Sequence, residues 1–331
     1  MTRVFAPGRV NLIGDHTDYT GGLVMPMAVD LGTTIHGARG GDVVRLTSDA
    51  ATEEAEVPLR LDDPREVLPE WARYVAGVMS VMHPAEGFSG FVSTTLPVGA
   101  GLSSSAALEV AMALALGFEG AARDLALVCQ KAEQQASGVP CGVMDQLASA
   151  AGVAGHALLI DCSTLEIEPV PLPADIDVVV MHSGEPRALA SSEYAARRAA
   201  CEAAEAIIGP LRSAGPDALA QIEDPTLQAR ARHVIHENAR VRRFAGSLRA
   251  GDMEECGALM VESHLSLAKD FEVSTERLDQ MVESLVTRPG VFGARLTGAG
   301  FGGCVVALAE PGALRDGWHV RPVDGARILE A

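Results

Sequence analysis

The first half of the chain alternates short apolar runs with glycine-rich turns. Runs of apolar and β-branched residues predict strands, and longer runs rich in alanine and leucine predict helices. By this pattern, strands are predicted at residues 4–6, 43–47 and 90–96, and helices at residues 104–116 and 123–136. Gly117 directly follows the first of these helices, a position where glycine is typical of a helix C-terminus.

The second half starts with strand-like runs, becomes helical and ends on a second strand-like region. Strands are predicted at residues 158–160 and 177–181, the latter with the sequence DVVVM. The pattern of residues 191–288 predicts several helices. Turn dipeptides that begin with glycine separate them at Gly209–Pro210, Gly215–Pro216 and Gly251–Asp252. Two final runs, joined by a glycine turn, predict a hairpin of residues 293–296 and 304–309.

Strand runs and helix runs are partly segregated along the chain. This distribution favours an α+β fold over a doubly wound sheet. A length of 331 residues is sufficient for two domains of ordinary size. Because prolines at 169–173 interrupt the pattern between two strand runs, we predict an N-terminal domain of residues 1–172 and a C-terminal domain of residues 173–331.

Charge and cysteine content narrow the class of protein. The formal net charge is −18, which argues against a nucleic acid or an anionic membrane as partner. An anionic nucleotide would therefore need a local site of backbone N–H groups, a few cations and Mg²⁺. The six cysteines include no Cys-x-x-Cys pair, and residues 1–30 contain no apolar run typical of a signal peptide. We expect a cytosolic protein with neither nucleic-acid nor membrane partners.

A glycine- and serine-rich segment, residues 97–107, lies between a predicted strand and a predicted helix. Glycines allow the backbone to approach a ligand closely, and a helix N-terminus presents free N–H groups to an anion. Serine hydroxyls there can reach phosphate oxygens or Mg²⁺. The alternative is an ordinary helix N-cap, where serine is common. The segment matches neither a Walker A loop nor a Rossmann fingerprint.

A second polar cluster lies near the N-terminus, in residues 7–22 (PGRVNLIGDHTDYTGG). Asp15, His16 and Asp18 supply several hydrogen-bonding groups within four residues, which suits a polyhydroxylated ligand. A solvated turn is the simpler alternative, since aspartate and glycine are common in turns. A zinc site is a third option, although one histidine and two aspartates form a poor zinc ligand set.

The third glycine-rich segment, residues 296–304, lies in the predicted hairpin. It is compatible with a loose turn. It is equally compatible with two backbones that pack beside a nucleotide. This segment alone does not distinguish between the two alternatives.

Together, these three segments resemble galactokinases of the GHMP kinase superfamily. Residues 7–22 are similar to the signature PGRVNLIGEHTDYNGG and differ mainly at Asp15 and Thr20. Further similarity lies in CGVMDQ at 141–146, LASSEY at 189–194, and residues 262–264 and 271–274. The resemblance implies a two-domain fold: an N-terminal domain like the second domain of ribosomal protein S5, and a C-terminal ferredoxin-like domain. It also implies transfer of a phosphoryl group from ATP to the anomeric hydroxyl of D-galactose, the first step of galactose breakdown.

The resemblance also implies roles for individual residues. Asp145 corresponds to the catalytic aspartate and Arg9 to the active-site arginine. Trp71 corresponds to an aromatic residue near the adenine. The remaining correspondences are sugar binding by Asp15, His16, Asp18, Gly142 and Tyr194, phosphate binding by Gly99, Gly101, Ser103, Ser104 and Ser105, and Mg²⁺ binding by Ser105 and Glu133.

The chain departs from the family pattern in two respects. It begins only a few residues before the first motif, so we expect the usual N-terminal leader to be absent. Position 15 is aspartate where the family usually has glutamate, and this position is expected to contact the outermost hydroxyl of the sugar. A related sugar-1-kinase for N-acetylgalactosamine or L-arabinose is therefore an alternative. A sugar sensor without activity is another, although Arg9, Asp145 and the serine loop are all retained.

Overall fold

A computed structural model of the chain describes residues 1–97, 99–185 and 190–329. Position 98 of the serine-rich segment and position 189 of the LASSEY segment lie outside the described residues. The strands are β1 (Thr2–Asn11), β2 (Leu23–Val24), β3 (Pro26–Arg39), β4 (Val43–Ser48), β5 (Ala55–Pro58), β6 (Phe88–Thr94), β7 (His156–Asp161), β8 (Glu166–Pro171), β9 (Asp177–His182), β10 (Val291–Thr297), β11 (Cys304–Ala309), β12 (Trp318–Val320) and β13 (Arg327–Leu329). The helices are α1 (Ala72–Met82), α2 (Ser104–Ala115), α3 (Ala122–Ser137), α4 (Met144–Ala151), α5 (Ala190–Ile208), α6 (Pro225–Ala250), α7 (Met253–Lys269) and α8 (Glu276–Val286).

The largest sheet has six strands in the order β13-β1-β3-β6-β4-β5. Helices α1 to α4 pack with it around a core of aliphatic side chains such as Val4, Ile35 and Val110. The last strand, β13, pairs antiparallel with β1. The C-terminal end of the chain therefore returns to the N-terminal sheet, across the sequence boundary that we predict at 172/173.

The second sheet has four strands in the order β10-β11-β9-β12 and packs against α7 and α8. The pairing of its edge strand β10 with β11 confirms the predicted hairpin, since the two strands are antiparallel with Thr297 opposite Cys304. A third sheet has the order β2-β7-β8; β2 comes between β1 and β3 in sequence, whereas β7 and β8 precede β9. Within the described ranges, no helix is long and apolar enough to span a membrane.

The predicted elements agree with the structure where the local pattern is strong. The helix predicted at 104–116 is α2, and Gly117 follows it with a φ of 93°. The pattern missed α1 and the long strand β3, which carries glycines that lower its strand propensity. Helix α4 begins at Met144, so Asp145 lies inside its first turn and is not its N-cap.

One close approach places the first motif beside the serine-rich loop. The pairing of β1 with β3 is irregular between Pro7 and Arg9. At Gly8 between them, a Cβ atom would lie 2.4 Å from the carbonyl oxygen of Leu102. Strand β1 therefore runs directly against the loop, and only glycine tolerates so close an approach. The Arg9 N–H donates to the same oxygen at 3.1 Å.

Candidate active site

Arg9 and Asp145 form a bidentate pair at the centre of the site. Arg9 Nε donates to Asp145 Oδ1 at 2.8 Å and Nη2 donates to Oδ2 at 2.7 Å. The third nitrogen, Nη1, donates to the carbonyl oxygen of Gly101 at 2.7 Å. This parallel arrangement fixes both side chains, since a planar guanidinium matches a carboxylate at two points. Arg9 is buried, whereas the Asp145 side chain is 28% exposed, so the carboxylate remains accessible from the site.

The serine-rich loop is not an ordinary N-cap. Ser103 precedes α2 in a left-handed conformation with a φ of 59°, and its side chain caps no backbone N–H group. Instead, the Ser103 hydroxyl donates to Asp145 Oδ2 at 2.5 Å. Gly99 and Gly101 also have positive φ values, of 77° and 78°. The N-terminal N–H groups of α2 therefore remain available to an anion.

Ser105 and Glu133 provide oxygen ligands beside this loop. The Ser105 hydroxyl donates to Glu133 Oε1 at 2.9 Å. Burial, and next the nearby Asp145, raise the pKa of Glu133 to about 7. A hydroxyl and a carboxylate suit Mg²⁺, which prefers oxygen ligands and usually keeps waters and phosphates as its other partners. These two residues therefore fit a magnesium ion bound together with a nucleotide.

The first motif is buried and is not a solvated turn. Asp15 is 2% exposed, and its Oδ2 lies 2.5 Å from Arg295 Nη2. Its Oδ1 accepts from the N–H of Gly298 at 3.1 Å. Burial raises the pKa of Asp15, whereas the charges of Arg295 and Arg9 lower it. Both oxygens of this carboxylate are thus oriented by residues of the β10–β11 hairpin.

His16 is held in one neutral tautomer. Its Nε2 lies 3.1 Å from the carbonyl oxygen of Ala299, which can only accept, so Nε2 carries the hydrogen. Its Nδ1 therefore accepts from the hydroxyl of Tyr19, also at 3.1 Å. Burial lowers the pKa of His16 to about 3, which keeps the ring uncharged at neutral pH. With Gly298 and Ala299, the third glycine-rich segment contacts Asp15 and His16, so it is not a loose turn.

Asp18, Gly142 and Tyr194 complete this side of the site. Burial, and next the charge of Asp145, raise the pKa of Asp18 to about 7. A Cβ atom at Gly142 would lie 1.7 Å from Asp18 Oδ2, so the backbone at 142 and this carboxylate are in direct contact. The ring of Tyr194 lies 5.5 Å from that of His16. Within the described residues, no group of three or more His, Cys, Asp or Glu could hold a metal, which leaves the zinc interpretation without support.

Two cavities meet at this site. The first, of about 280 Å³, is lined by all the residues predicted to bind or act on the sugar: Arg9, Asp15, His16, Asp18, Gly142, Asp145 and Tyr194. The second, of about 560 Å³, is lined by all the residues predicted to bind phosphate and metal: Gly99, Gly101, Ser103, Ser104, Ser105 and Glu133. Arg9, Asp145 and Glu133 line both. These three side chains therefore stand where a ligand in one cavity meets a ligand in the other.

Trp71 is the one predicted site residue that lines neither cavity. Its indole Nε1 donates to the carbonyl oxygen of Glu53 at 3.3 Å. It lines a neighbouring cavity with Tyr74, which also lines the first. The assignment of Trp71 to the adenine therefore remains a prediction.

Sequence reasoning missed several residues that shape the site. Arg295 is fully buried and lies in β10, just before the third glycine-rich segment. Glu109 and Gln146 are fully buried behind Glu133. One signal was present for Glu109, because a single acidic residue inside the apolar run of α2 is unusual unless it has a buried partner. For Arg295 we see no comparable local signal.

Comparisons with known proteins agree with this geometry. The N-terminal domain of GHMP kinases matches residues 73–153, and the GHMP kinase C-terminal domain matches residues 244–318. A mevalonate kinase from Methanococcus jannaschii has the same fold, with a TM-score of 0.67, 21% identity and coverage of 93% of this chain and 90% of the other. The fold and the site thus define a kinase of the GHMP class, with an α+β fold of two domains.

More specific matches identify the family. A galactokinase galactose-binding signature matches residues 2–39. The galactokinase of Bos taurus is 44% identical over 98% of this chain and 92% of its own length, and that of Chloroflexus aurantiacus is 42% identical over 96% and 87%. The crystal structure of Lactococcus lactis galactokinase complexed with galactose is 33% identical, with a TM-score of 0.90, and the match covers 99% of this chain and 95% of the other. The chain belongs to the galactokinase family.

Proposed function

We propose that this protein transfers the γ-phosphoryl group of ATP to the anomeric hydroxyl of D-galactose, giving galactose 1-phosphate and ADP. The observation that carries the proposal is the junction of the two cavities. Arg9 and Asp145 line both, and they are fixed to each other by two hydrogen bonds. A base and a cation at one point are what phosphoryl transfer needs between its acceptor and its donor.

The sugar cavity suits a neutral, hydroxyl-rich ligand. Its carboxylates, Asp15 and Asp18, accept hydrogen bonds from hydroxyl groups, while the neutral His16 adds a fixed polar edge. The aromatic ring of Tyr194 provides an apolar face. A volume of about 280 Å³ is of the size of small-ligand pockets. In the related Lactococcus lactis structure, the bound sugar is galactose.

Asp145 acts as the general base in this proposal. Its carboxylate accepts the proton of the anomeric hydroxyl as the new P–O bond forms and the bond between the γ-phosphorus and its bridging oxygen breaks. The Arg9 guanidinium orients the carboxylate and neutralises charge on the phosphoryl oxygens. The Ser103 hydroxyl holds Asp145 Oδ2 from the other side, so the base has little freedom to turn.

The phosphate cavity would hold ATP with Mg²⁺. The backbone N–H groups at the start of α2 and the loop at Gly99 and Gly101 would contact the phosphates, and Ser105 with Glu133 would hold the metal ion. Magnesium, when bound, neutralises charge on the transferring phosphoryl group. We also propose a cytosolic location, because no disulfide links the cysteines of the described residues and Cys129, Cys201, Cys256 and Cys304 are buried.

The test measures ADP release by the purified protein with ATP, Mg²⁺ and single sugars. We expect fast release with D-galactose and a product whose phosphorus resonance couples to the anomeric proton. The matched control is 1-deoxygalactose, which keeps the other hydroxyls and lacks the acceptor. No galactose-dependent release would disprove the proposal, and binding of both ligands without release would identify a sensor. Faster turnover of L-arabinose or N-acetylgalactosamine would transfer the assignment to that sugar.

A further inference from the structure

A carboxyl group that the proposed reaction does not use lies behind the phosphate cavity. Glu109 is in the middle of α2 and is fully buried. Its Oε2 accepts from Gln146 Nε2 at 3.2 Å, and Gln146 is fully buried as well. Burial, and next the nearby Glu133, raise the pKa of Glu109 well above that of an exposed glutamate. A buried polar pair of this kind is costly and calls for an explanation.

The other contact of Gln146 supplies that explanation. The same Nε2 atom also donates to Glu133 Oε2. An amide nitrogen carries two hydrogens, so both are used, one for Glu109 and one for Glu133. Because Ser105 donates to Glu133 Oε1, each oxygen of Glu133 has its own donor. The plane and direction of this carboxylate are thereby determined.

Gln146 directly follows Asp145 in the first turn of α4. Consecutive helical residues point about 100° apart, so the two side chains face different neighbours. Asp145 contacts Arg9 and Ser103, whereas Gln146 contacts Glu133 and Glu109. One helical turn therefore carries both the proposed base and the group that holds the proposed metal-binding carboxylate.

We propose that Gln146 is a positioning residue that sets Glu133 for the metal ion at a fixed distance from Asp145, and that Glu109 holds the Gln146 amide in place. This inference rests on the proposed function, in which Glu133 and Ser105 bind magnesium. A purely structural role would give a different result. Loss of Gln146 would then lower stability without changing how strongly the metal ion contributes to nucleotide binding.

The experiment measures binding of ADP by calorimetry, once with excess Mg²⁺ and once with EDTA. The ratio of the two dissociation constants reports the contribution of the metal without any turnover. Gln146→Met keeps a similar side-chain volume and removes the N–H donors. Residues that orient metal ligands are worth about 10–100-fold in metal affinity, so we expect the ratio to fall by roughly that factor. The affinity for galactose should stay within twofold of wild type.

Gln228→Met is the matched control. The Gln228 amide donates to the carbonyl oxygens of Leu219 and Ile222, away from both cavities. Gln228→Met should leave the ratio of the two ADP dissociation constants unchanged even if the substitution lowers stability.

Substitutions at Glu109 test the second part of the inference and do not require Gln146→Met to fold. Glu109→Gln keeps an oxygen that can accept from Gln146, so it should retain at least half of the wild-type ratio. Glu109→Met removes that oxygen and should lower the ratio about tenfold, by the same argument as for other supporting residues. A wild-type ratio in both Glu109→Met and Gln146→Met would overturn the inference. Equal losses in Glu109→Gln and Glu109→Met would also overturn it, since a loss that no acceptor rescues is structural.

Failure of the proposed metal role and failure of the inference about Gln146 give different results. If the wild-type protein itself binds ADP equally well with and without Mg²⁺, the metal role of Ser105 and Glu133 is wrong, and the inference falls with it. If the wild type prefers the magnesium form and the variants share that preference, only the inference about Gln146 and Glu109 fails.

Discussion

The two sides of the candidate active site, which we propose to bind the sugar and the phosphates, present different chemical groups. On the sugar side, Asp15 and Arg295 are buried charges in direct contact, and burial holds His16 neutral. On the phosphate side, the loop around Gly99 offers backbone groups and serine hydroxyls, and Ser104 and Ser105 are partly exposed. Apart from the three charged residues that line both cavities, buried side-chain charges characterise the sugar side, and backbone groups and serine hydroxyls characterise the phosphate side.

The difference follows from the chemistry of the two ligands. A neutral sugar has no net charge to attract, so its recognition depends on hydrogen bonds of fixed direction, which buried charged groups provide. A triphosphate carries several negative charges, and a protein of net charge −18 repels it at long range. A loop of N–H groups at a helix start attracts anions without adding a side-chain charge. The predictions below test this contrast, from the largest expected effect to the smallest.

The largest effect is expected at Asp145, one of the three residues that line both cavities. Asp145→Asn keeps the size of the side chain and removes the proton acceptor. General bases contribute about 10²–10⁴-fold, so we expect kcat to fall by roughly that factor while galactose still binds. Steady-state kinetics and a direct measurement of galactose binding check both expectations.

Asp124→Asn is the matched control for this substitution. Asp124 also lies in the first turn of a helix, α3, but it is exposed. It should leave kcat close to the wild-type value. If Asp145→Asn retained more than half of the wild-type kcat, proton removal by Asp145 would not be an important step.

The second prediction concerns the buried ion pair on the sugar side. Arg295→Met leaves the Asp15 carboxylate buried without the cation that contacts it. Removing one partner of such a pair costs about 3–5 kcal/mol, and we expect a loss of that size in the free energy of unfolding. Urea unfolding at neutral pH measures it.

Arg45→Met is the control for a pair in water. Arg45 Nε lies 3.1 Å from Glu56 Oε2, and both side chains are more than half exposed (53% and 59%). Exposed pairs contribute less than about 1 kcal/mol. Equal losses in the two variants would mean that the sugar side is not a dry region.

The contrast between the two sides also explains what sequence reasoning could reach. The sugar motif and the phosphate loop are contiguous segments, so their composition alone indicated ligand binding. Strong local patterns likewise predicted α2 and the hairpin of β10 and β11. Every residue that the resemblance assigns to catalysis, sugar, phosphate or metal lines one of the two cavities. Trp71, which it assigns to the adenine, lines a neighbouring cavity.

What sequence reasoning missed depends on contacts between distant segments. Arg295 meets Asp15 across 280 positions, and a tertiary ion pair leaves no periodic signal. Glu109 is read locally as one polar residue in a helix, and its partner Gln146 lies in another helix. The left-handed conformation of Ser103 was also missed. Serine is favoured at helix N-caps, so the serine-rich segment suggested an ordinary cap.

The third prediction tests how Asp15 is held. Asp15→Glu adds one methylene and moves the carboxylate by roughly 1.5 Å, about one carbon–carbon bond. Both oxygens are now engaged, one with Arg295 and one with the N–H of Gly298, so the longer side chain must lose a contact or enter the sugar cavity. A hydrogen bond to a charged group is worth about 1.5–3 kcal/mol, so we expect Asp15→Glu to lower kcat/KM for galactose by roughly 10- to 150-fold.

L-Arabinose is the internal control for this variant. It lacks the hydroxymethyl group of galactose, so a direct contact between position 15 and that group should change kcat/KM for galactose and L-arabinose by different factors. Equal losses would mean that the longer side chain disturbs the whole cavity. Values within twofold of wild type for both sugars would show that Asp15 does not contact the sugar.

The smallest effect, taken per pH unit, is a pH dependence of stability that comes from Asp18. Burial raises the pKa of this carboxyl to about 7, whereas an unfolded chain has a value near 4. Between these two values the folded protein binds more protons than the unfolded one, so this group makes stability fall as pH rises. Asp18→Asn removes the titration, and its stability relative to wild type should therefore rise between about pH 4 and 7 and level off above. The slope for one proton is at most about 1.4 kcal/mol per pH unit.

Asp63→Asn is the control, and it has the opposite sign. Its hydrogen bonds to Arg65 lower the pKa of Asp63 to about 2, so its stabilisation is complete above pH 4 and is lost only in more acidic solution. Urea unfolding at pH 5, 6, 7 and 8 should thus give a constant difference for Asp63→Asn and a rising one for Asp18→Asn. A constant difference for both would mean that Asp18 is already ionised at pH 5. The sugar side would then be as hydrated as the phosphate loop, and its charges would have to recognise the sugar in competition with water.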